Sequence, residues 1–331
     1  PSTGSIVEEA ESRGIPWIRL NKYSLCQLGY GANQKRIQAT VTSETSSIGV
    51  ELACDKEDTK YLLEQAEVEV PKGDIIRRER SLEDACNYVG FPLVIKPIDG
   101  NHGRGITVDI QNYDEALEAF RHAKESSRSG AIIVEKFIKG EDYRILVINN
   151  RLVAAAKRTP AHVIGDGKST IQELVDEVNK DPRRGYGHEN VLTQITINDL
   201  TKTIIKDAGY TTDSVLSNGE RLILKDTANL STGGTAEDIT DIVHPANVSM
   251  CERISKIIDL DICGIDIMTT DISRPLSETG GAVLEVNAGP GFRMHLAPTT
   301  GLPRNVAAPV IDKLFPIKGC LLYTSPSPRD I

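Results

Sequence analysis

Residues 281–295, Gly-Ala-Val-Leu-Glu-Val-Asn-Ala-Gly-Pro-Gly-Phe-Arg-Met-His, narrow what the rest of the chain can be. Residues 282–286 alternate as a strand, so Glu285 and Asn287, two positions apart, project from one face. Two hard oxygen donors side by side suit Mg²⁺, which proteins hold through one or two carboxylates plus substrate phosphates. Gly289-Pro290-Gly291 follows at once as a rigid turn whose amides can face a developing negative charge. A surface strand ending in an ordinary Gly-Pro turn would share this pattern. The choice between the two rests on residues elsewhere.

A chain of 331 residues holds two or three compact units. With 39% hydrophobic and 26% charged residues it reads as globular, and the net charge of −9 argues against nucleic acid as the main partner. No apolar run approaches the roughly 18 residues of a membrane span, so no membrane partner is expected. The six cysteines are scattered without a C-x-x-C pair, which fits buried thiols in a reducing cytoplasm better than zinc or disulfides.

Residues 1–52 read as the remnant of a preceding lobe. Gly29-x-Gly31 lacks the third glycine of a dinucleotide fingerprint, because Gln34 stands there. Asp55 is expected to cap a helix over 55–66, and Ser81 another over 82–89. Residues 68–71 read as extended, and 91–97 as a buried strand. A hairpin over 143–157 turns at Asn149-Asn150. Counting back from that turn puts Arg144 opposite Ala155 and Asp142 opposite Lys157, so Asp142, Arg144 and Lys157 share a face. Arg158 then points away unless a bulge intervenes. Between 160 and 235 the chain is rich in Gly, Asn and Thr, with one clear helix over 170–179. Further strands over 262–268 and 282–286 frame a loop.

Lys96 ends the apolar strand Leu93-Val-Ile-Lys-Pro97, a costly place for a cation unless an anion or a wet cleft receives it. Gly100-Asn-His-Gly-Arg-Gly105 follows, offering backbone amides that can close over phosphates, as can a plain Gly-rich hairpin. Gly165-Asp-Gly-Lys-Ser-Thr170 ends like a P-loop, but His162 occupies the position of the required first glycine. Asp266, amid apolar neighbours, is either a structural carboxylate or a third oxygen ligand beside Glu285 and Asn287.

Lys96 at a strand end, the Gly-rich loop, Val134-Glu-Lys-Phe137, Asp266 and Glu285-x-Asn287, in this order, resemble the ATP-grasp ligases across residues 53–295. Further segments are similar to the branch of that family that forms cyanophycin, an aspartate–arginine polymer. They are Gln27-Leu-Gly-Tyr-Gly31, Asp99-Gly-Asn-His-Gly-Arg-Gly105, Gly187-His-Glu189 and Gly301-Leu-Pro-Arg-Asn-Val-Ala-Ala-Pro309. The resemblance implies an α+β ATP-grasp fold, with the nucleotide held between a small lid (about 91–137) and a larger mixed-sheet subdomain, spanning 53–318. It implies ATP and Mg²⁺ as cofactors and a cyanophycin primer and L-aspartate as substrates, with the full-length protein a homo-oligomer.

By the same resemblance, Lys96, Gly100, Asn101, His102, Gly103 and Gly105 would hold the phosphates. Glu135, Lys136, Phe137 and Asp142 would contact the nucleoside. Asp266, Glu285 and Asn287 would bind Mg²⁺. Arg144, Lys157 and Arg158 would stabilise the transferred phosphoryl group, and Gly291 and Arg293 the oxyanion and the substrate carboxylate. Full-length members add a P-loop domain that attaches arginine. That domain is expected to be missing, with residues 319–331 a non-native or disordered tail. A dipeptide or glutathione-type ligase, and a nucleotide-binding fragment without turnover, stay open as alternatives.

Overall fold

The computed structural model describes residues 2–99, 105–186 and 190–316. The expectations for Gly100, Asn101, His102 and Gly103, for residues 187–189 and for the tail 319–331 lie outside the described residues.

The chain opens with helix α1 (Ser2–Ser12) and the strands β1 (Trp17–Arg19), β2 (Leu25–Leu28), β3 (Lys35–Gln38) and β4 (Val41–Thr42), an antiparallel sheet in chain order. Helices α2 (Ser47–Cys54) and α3 (Lys56–Gln65) follow. Asp55 caps α3 as expected, accepting the amides of Glu57 and Asp58 at 2.9 and 3.0 Å. Helix α2 was not evident in the sequence, because Ile48, Gly49 and Val50 favour other conformations. Gly49 is needed there, since a Cβ would stand 2.5 Å from the carbonyl oxygen of Asp259.

The next unit comprises β5 (Gly73–Ile76), α4 (Leu82–Val89), β6 (Leu93–Pro97), β7 (Thr107–Ile110), α5 (Tyr113–Ser126) and β8 (Ile132–Lys136). Its sheet runs β5-β8-β6-β7, all antiparallel, and α4 and α5 bury one face against Leu93, Ile95, Ile132 and Val134. The strand that pairs here, Gly73–Ile76, follows the 68–71 segment. One expectation changes. Ser81 makes no capping bond, because a 3-10 turn over Glu79–Ser81 runs straight into α4 and holds Ser81 at helix-like φ −94 and ψ −3.

The central hairpin is β9 (Glu141–Ile148) and β10 (Arg151–Thr159), with Asn149 and Asn150 both at positive φ, as the two-residue turn requires. A small unit is inserted next, containing β11 (His162–Ile164), α6 (Ile171–Val178), β12 (Arg184–Gly185), β13 (Leu192–Thr193), α7 (Asp199–Asp207) and β14 (Arg221–Ile223). Thr170 caps α6 in a reciprocal capping box with Glu173, so Gly165–Thr170 serves as a helix entry. The chain returns through β15 (Thr235–Asp238), α8 (Pro245–Ile258), β16 (Ile262–Thr269), α9 (Leu276–Thr279), β17 (Ala282–Asn287), α10 (Arg293–Leu296) and α11 (Ala308–Leu314).

The central sheet runs β15-β10-β9-β16-β17. Every ladder in it is antiparallel, and a parallel pairing enters only at the edge, where Glu237 bridges Thr300. One face packs on α3 and α8 through Leu63, Ile145, Ile254 and Ile265. The other shares a core with the first 52 residues and α11, through Ile6, Leu28, Leu146, Ile262 and Ile311. The rest of that second face carries charge.

Candidate active site

Strand register assembles the charged face. Opposed residues in antiparallel ladders share a face. Asp238 pairs with Ala156, Ala156 with Arg144, Arg144 with Asp266 and Asp266 with Glu285, one row across all five strands. Next to it run Arg158, Asp142 and Met268 on one side, and Leu146, Gly264 and Asn287 on the other.

The expected hairpin register is corrected by one residue. A bulge between Leu152 and Ala154 sets Arg144 opposite Ala156, Asp142 opposite Arg158 and Tyr143 opposite Lys157. Arg158 therefore joins the charged face. Lys157 leaves it, and its Nζ meets Glu141 at 3.1 Å.

Within the face, Asp266 receives Arg144 twice: Nε makes a short bond to Oδ1, and Nη2 reaches Oδ2 at 3.0 Å. Arg158 Nη2 stands 2.6 Å from Asp142 and 3.3 Å from Asp266. Burial pushes the Asp266 carboxyl up, but Arg144 and Arg158 outweigh it and hold the group below the ordinary aspartate value. At Asp142 burial prevails over Arg158, and the carboxyl lies above its ordinary value. Gly264 makes room for this pairing. A Cβ there would press within 2.8 Å of Pro290 Cβ and 3.1 Å of Arg144 Nη1.

Asn287 Nδ2 lies 3.5 Å from Asp266 Oδ2, and Glu285 is the register partner of Asp266. Two carboxylates and an amide on adjoining positions of one face offer oxygens of the kind that suits Mg²⁺, with Asn287 turning its Nδ2 toward Asp266.

Glu285 also lines a cavity of about 290 Å³ between the β5-β8-β6-β7 sheet, α3 and β17. Lys96 and Glu135 line the same cavity, joined by a short Lys96 Nζ–Glu135 Oε1 hydrogen bond. Lys60 of α3 approaches Glu135 Oε2 at 3.7 Å, and its own burial lowers its pKa despite Glu135. Sequence reasoning missed Lys60, since a lysine on an amphipathic helix carries no signal of where it points. Asp99 and Gly105 flank the glycine loop. Asp99 accepts the amides of Arg128 and Ser129 at 2.9 and 2.8 Å, and Gly105, at φ +70, leaves no room for a Cβ beside Ser126.

Other expected residues are placed elsewhere. Lys136 Nζ donates to the carbonyl of Gly90 at 3.0 Å, away from Glu135, as strand alternation demands. Phe137 N–H is bonded to Pro92 O at 3.0 Å and Lys136 N–H to Lys72 O at 2.8 Å, so neither amide is left for a nucleotide base. Asp142, expected at a ribose, is held by Arg158. Arg293 donates to Asn190 O at 3.0 Å and Thr193 Oγ1 at 3.4 Å, on the side of the inserted unit. Gly291 is exposed, with open space where a side chain would stand. The turn around it is anchored by the N-terminal residues: Thr40 Oγ1 donates to Pro290 O at 3.0 Å, and Phe292 N–H donates to Ser2 Oγ at 2.9 Å.

The comparisons with known proteins bear on this geometry. A family profile described as the RimK-like ATP-grasp domain matches residues 53–171. The chain is 56% identical over 317 residues to the cyanophycin synthetase of Synechocystis sp., which covers 96% of this chain and 36% of that protein. The chain has the ATP-grasp fold. This ATP-grasp chain spans about a third of the length of the curated relatives it first matches. It is 33% identical to a glutathione biosynthesis bifunctional protein of Clostridium perfringens, over 95% of this chain and 41% of that one. A solved bifunctional glutathione synthetase from Pasteurella multocida superposes with a TM-score of 0.74 at 28% identity, covering 95% of the ATP-grasp chain and 43% of the other. Among the described residues no helix is long and apolar enough to cross a membrane.

His295 is buried in α10 beside this face. Burial presses its pKa down to about 3, with the positive charges of Arg144 and Arg158 adding to the effect and Asp238 opposing it. The ring is therefore neutral in the folded protein. Below about pH 6.5 the unfolded chain takes up a proton that the folded chain refuses, so stability falls as pH falls. Between pH 7 and 5 this site is expected to cost about 2 kcal/mol. His295→Gln should remove that part of the slope in urea unfolding at the two pH values. An unchanged slope would contradict the buried neutral ring.

Proposed function

We propose that the chain is an ATP- and Mg²⁺-dependent carboxylate–amine ligase domain that adds aspartate to the backbone of an aspartate–arginine polymer. One observation carries the reading: Glu285 belongs both to the cavity that holds Lys96 and Lys60 and to the strand row that holds Arg144 and Asp266. A nucleotide lying in the cavity would thus direct its terminal phosphate toward the guanidinium groups. The similarity to cyanophycin synthetases supports this substrate class.

In the proposed reaction, a carboxylate oxygen at the polymer's C-terminus attacks the γ-phosphorus of ATP. The bond to the bridging oxygen breaks, releasing ADP and leaving an acyl phosphate. The amine of aspartate then attacks the carbonyl carbon, phosphate leaves with the bonding electrons, and the amide forms with loss of a proton. Lys96 and Lys60 balance phosphate charge in the cavity. Asp266, Glu285 and Asn287 would hold Mg²⁺, whose charge offsets that of the phosphates. Arg144 and Arg158 stabilise charge on the transferred group, and the open turn at Gly291 admits the carbonyl. Such chemistry depends on position and charge neutralisation, and needs no nucleophilic serine or cysteine.

The test is ADP release with a polymer primer, adding aspartate and arginine separately. Aspartate-dependent and arginine-independent ADP is expected. The likeness to glutathione-type proteins favours a second reading, a ligase for another short peptide, which would release ADP with amino acids and no primer. ATP binding without ADP release under any of these conditions would reject both.

A further inference from the structure

His295 is 2% exposed, and neither ring nitrogen has a hydrogen-bond partner among the described residues. A buried polar group without a partner is rare in folded proteins and points to an unseen ligand or to a second state. The helix holds it firmly in place: its backbone N–H donates to Phe292 O and its carbonyl accepts from Arg304 N–H, both at 2.9 Å. The charges that act on the ring are Arg144, Asp238 and Arg158. Those are the neighbours of Ala156 in the sheet, across both strands and along its own, and α10 packs on β10 and β15, the strands of Ala156 and Asp238.

The nearby groups differ in their availability. Asp238 is taken up by Arg304 at 2.7 Å and by Thr240 at 2.5 Å. Arg144 spends Nε and Nη2 on Asp266, which Arg158 also contacts. One carboxylate thus carries two guanidinium groups and is also a member of the oxygen donor set described above. A cation there would compete with the guanidinium groups for its lone pairs. When Asp266 turns to a cation, a guanidinium released from it needs another acceptor, and the His295 ring offers an acceptor nitrogen that is otherwise unused.

We propose that His295 is a positioning residue, the alternative acceptor for Arg144. As Asp266 becomes a metal ligand, Arg144 leaves it and donates one N–H to the neutral ring, which aims its remaining N–H groups at the transferred phosphoryl group. This rests on the ligase reading above. A neutral imidazole has one acceptor nitrogen and one donor, so the ring can take an N–H without any proton transfer.

The test uses protein labelled with ¹⁵N-histidine, Mg²⁺ and a non-hydrolysable ATP analogue, with His295→Gln to assign the resonance. The unprotonated ring nitrogen of His295 is expected to move upfield when both are present, and to stay in place with Mg²⁺ alone. An unmoved resonance in a complex that calorimetry shows to be formed overturns the proposal while the ligase reading stands. No binding of the analogue overturns both. In turnover, His295→Leu should keep its melting temperature and its KM for ATP while kcat falls about tenfold, as misplacement of a catalytic group would cause. His295→Gln, with an amide oxygen to accept the N–H, should recover most of the loss. A Leu variant with wild-type kcat would overturn the proposal, since a ring that only fills space is dispensable.

Discussion

Glu285→Gln is expected to abolish measurable ligation at saturating Mg²⁺ while leaving the fold intact. The substitution keeps the size of the side chain and removes one negative charge from the donor set proposed with Asp266 and Asn287. A loss of several kcal/mol in charge stabilisation corresponds to about 10²–10³-fold in kcat, at 1.4 kcal/mol per decade. Glu285 is only half-buried, so no large stability change should accompany it. Nucleotide binding should persist through Lys96 and Lys60, as a fluorescent ATP analogue would report. Turnover near that of the unaltered chain would remove Glu285 from the metal site and leave it as a cavity wall.

Arg158→Met should produce the largest loss of stability at this site. The arginine side chain is 7% exposed and contacts Asp142 and Asp266 together. Removing one partner of a buried pair leaves an uncompensated charge, a loss of about 3–5 kcal/mol. The lower end is expected, because Asp266 keeps Arg144 and Asp142 is partly exposed. Urea unfolding with an unchanged m-value would measure it. Adding Asp142→Leu should restore part of the loss by removing the stranded carboxylate, which a double-mutant cycle would resolve. A loss under about 1 kcal/mol would mean that the face is screened by solvent like a surface ion pair.

Much of the architecture was readable from local pattern. Strand alternation placed Glu285 and Asn287 together because a side-chain period of two belongs to the backbone itself. The Asn149-Asn150 turn was readable for a similar reason, since asparagine tolerates the positive φ that such a turn needs. Asp55 announced its helix through a side chain that accepts the first free amides. Ser81 looked equivalent and was not, because the residues before it already turn as a 3-10 helix.

Other features depended on contacts that no local pattern records. The bulge in β10 falls in Leu152-Val-Ala-Ala-Ala156, where both faces are apolar, so a slip of one residue leaves no mark on the pattern. That slip exchanges Lys157 for Arg158 on the charged face. Lys60 and His295 became visible only when α3 met the β5-β8-β6-β7 sheet and α10 settled over β10 and β15. By itself, the sequence determined which residue types were present and which neighbours along each strand share a face, since both are properties of the chain. Tertiary structure alone decided that Asp266 answers two arginines and that Glu285 joins the cavity to the charged row. Those depend on register and packing between strands far apart in sequence, where distance and burial set the energy.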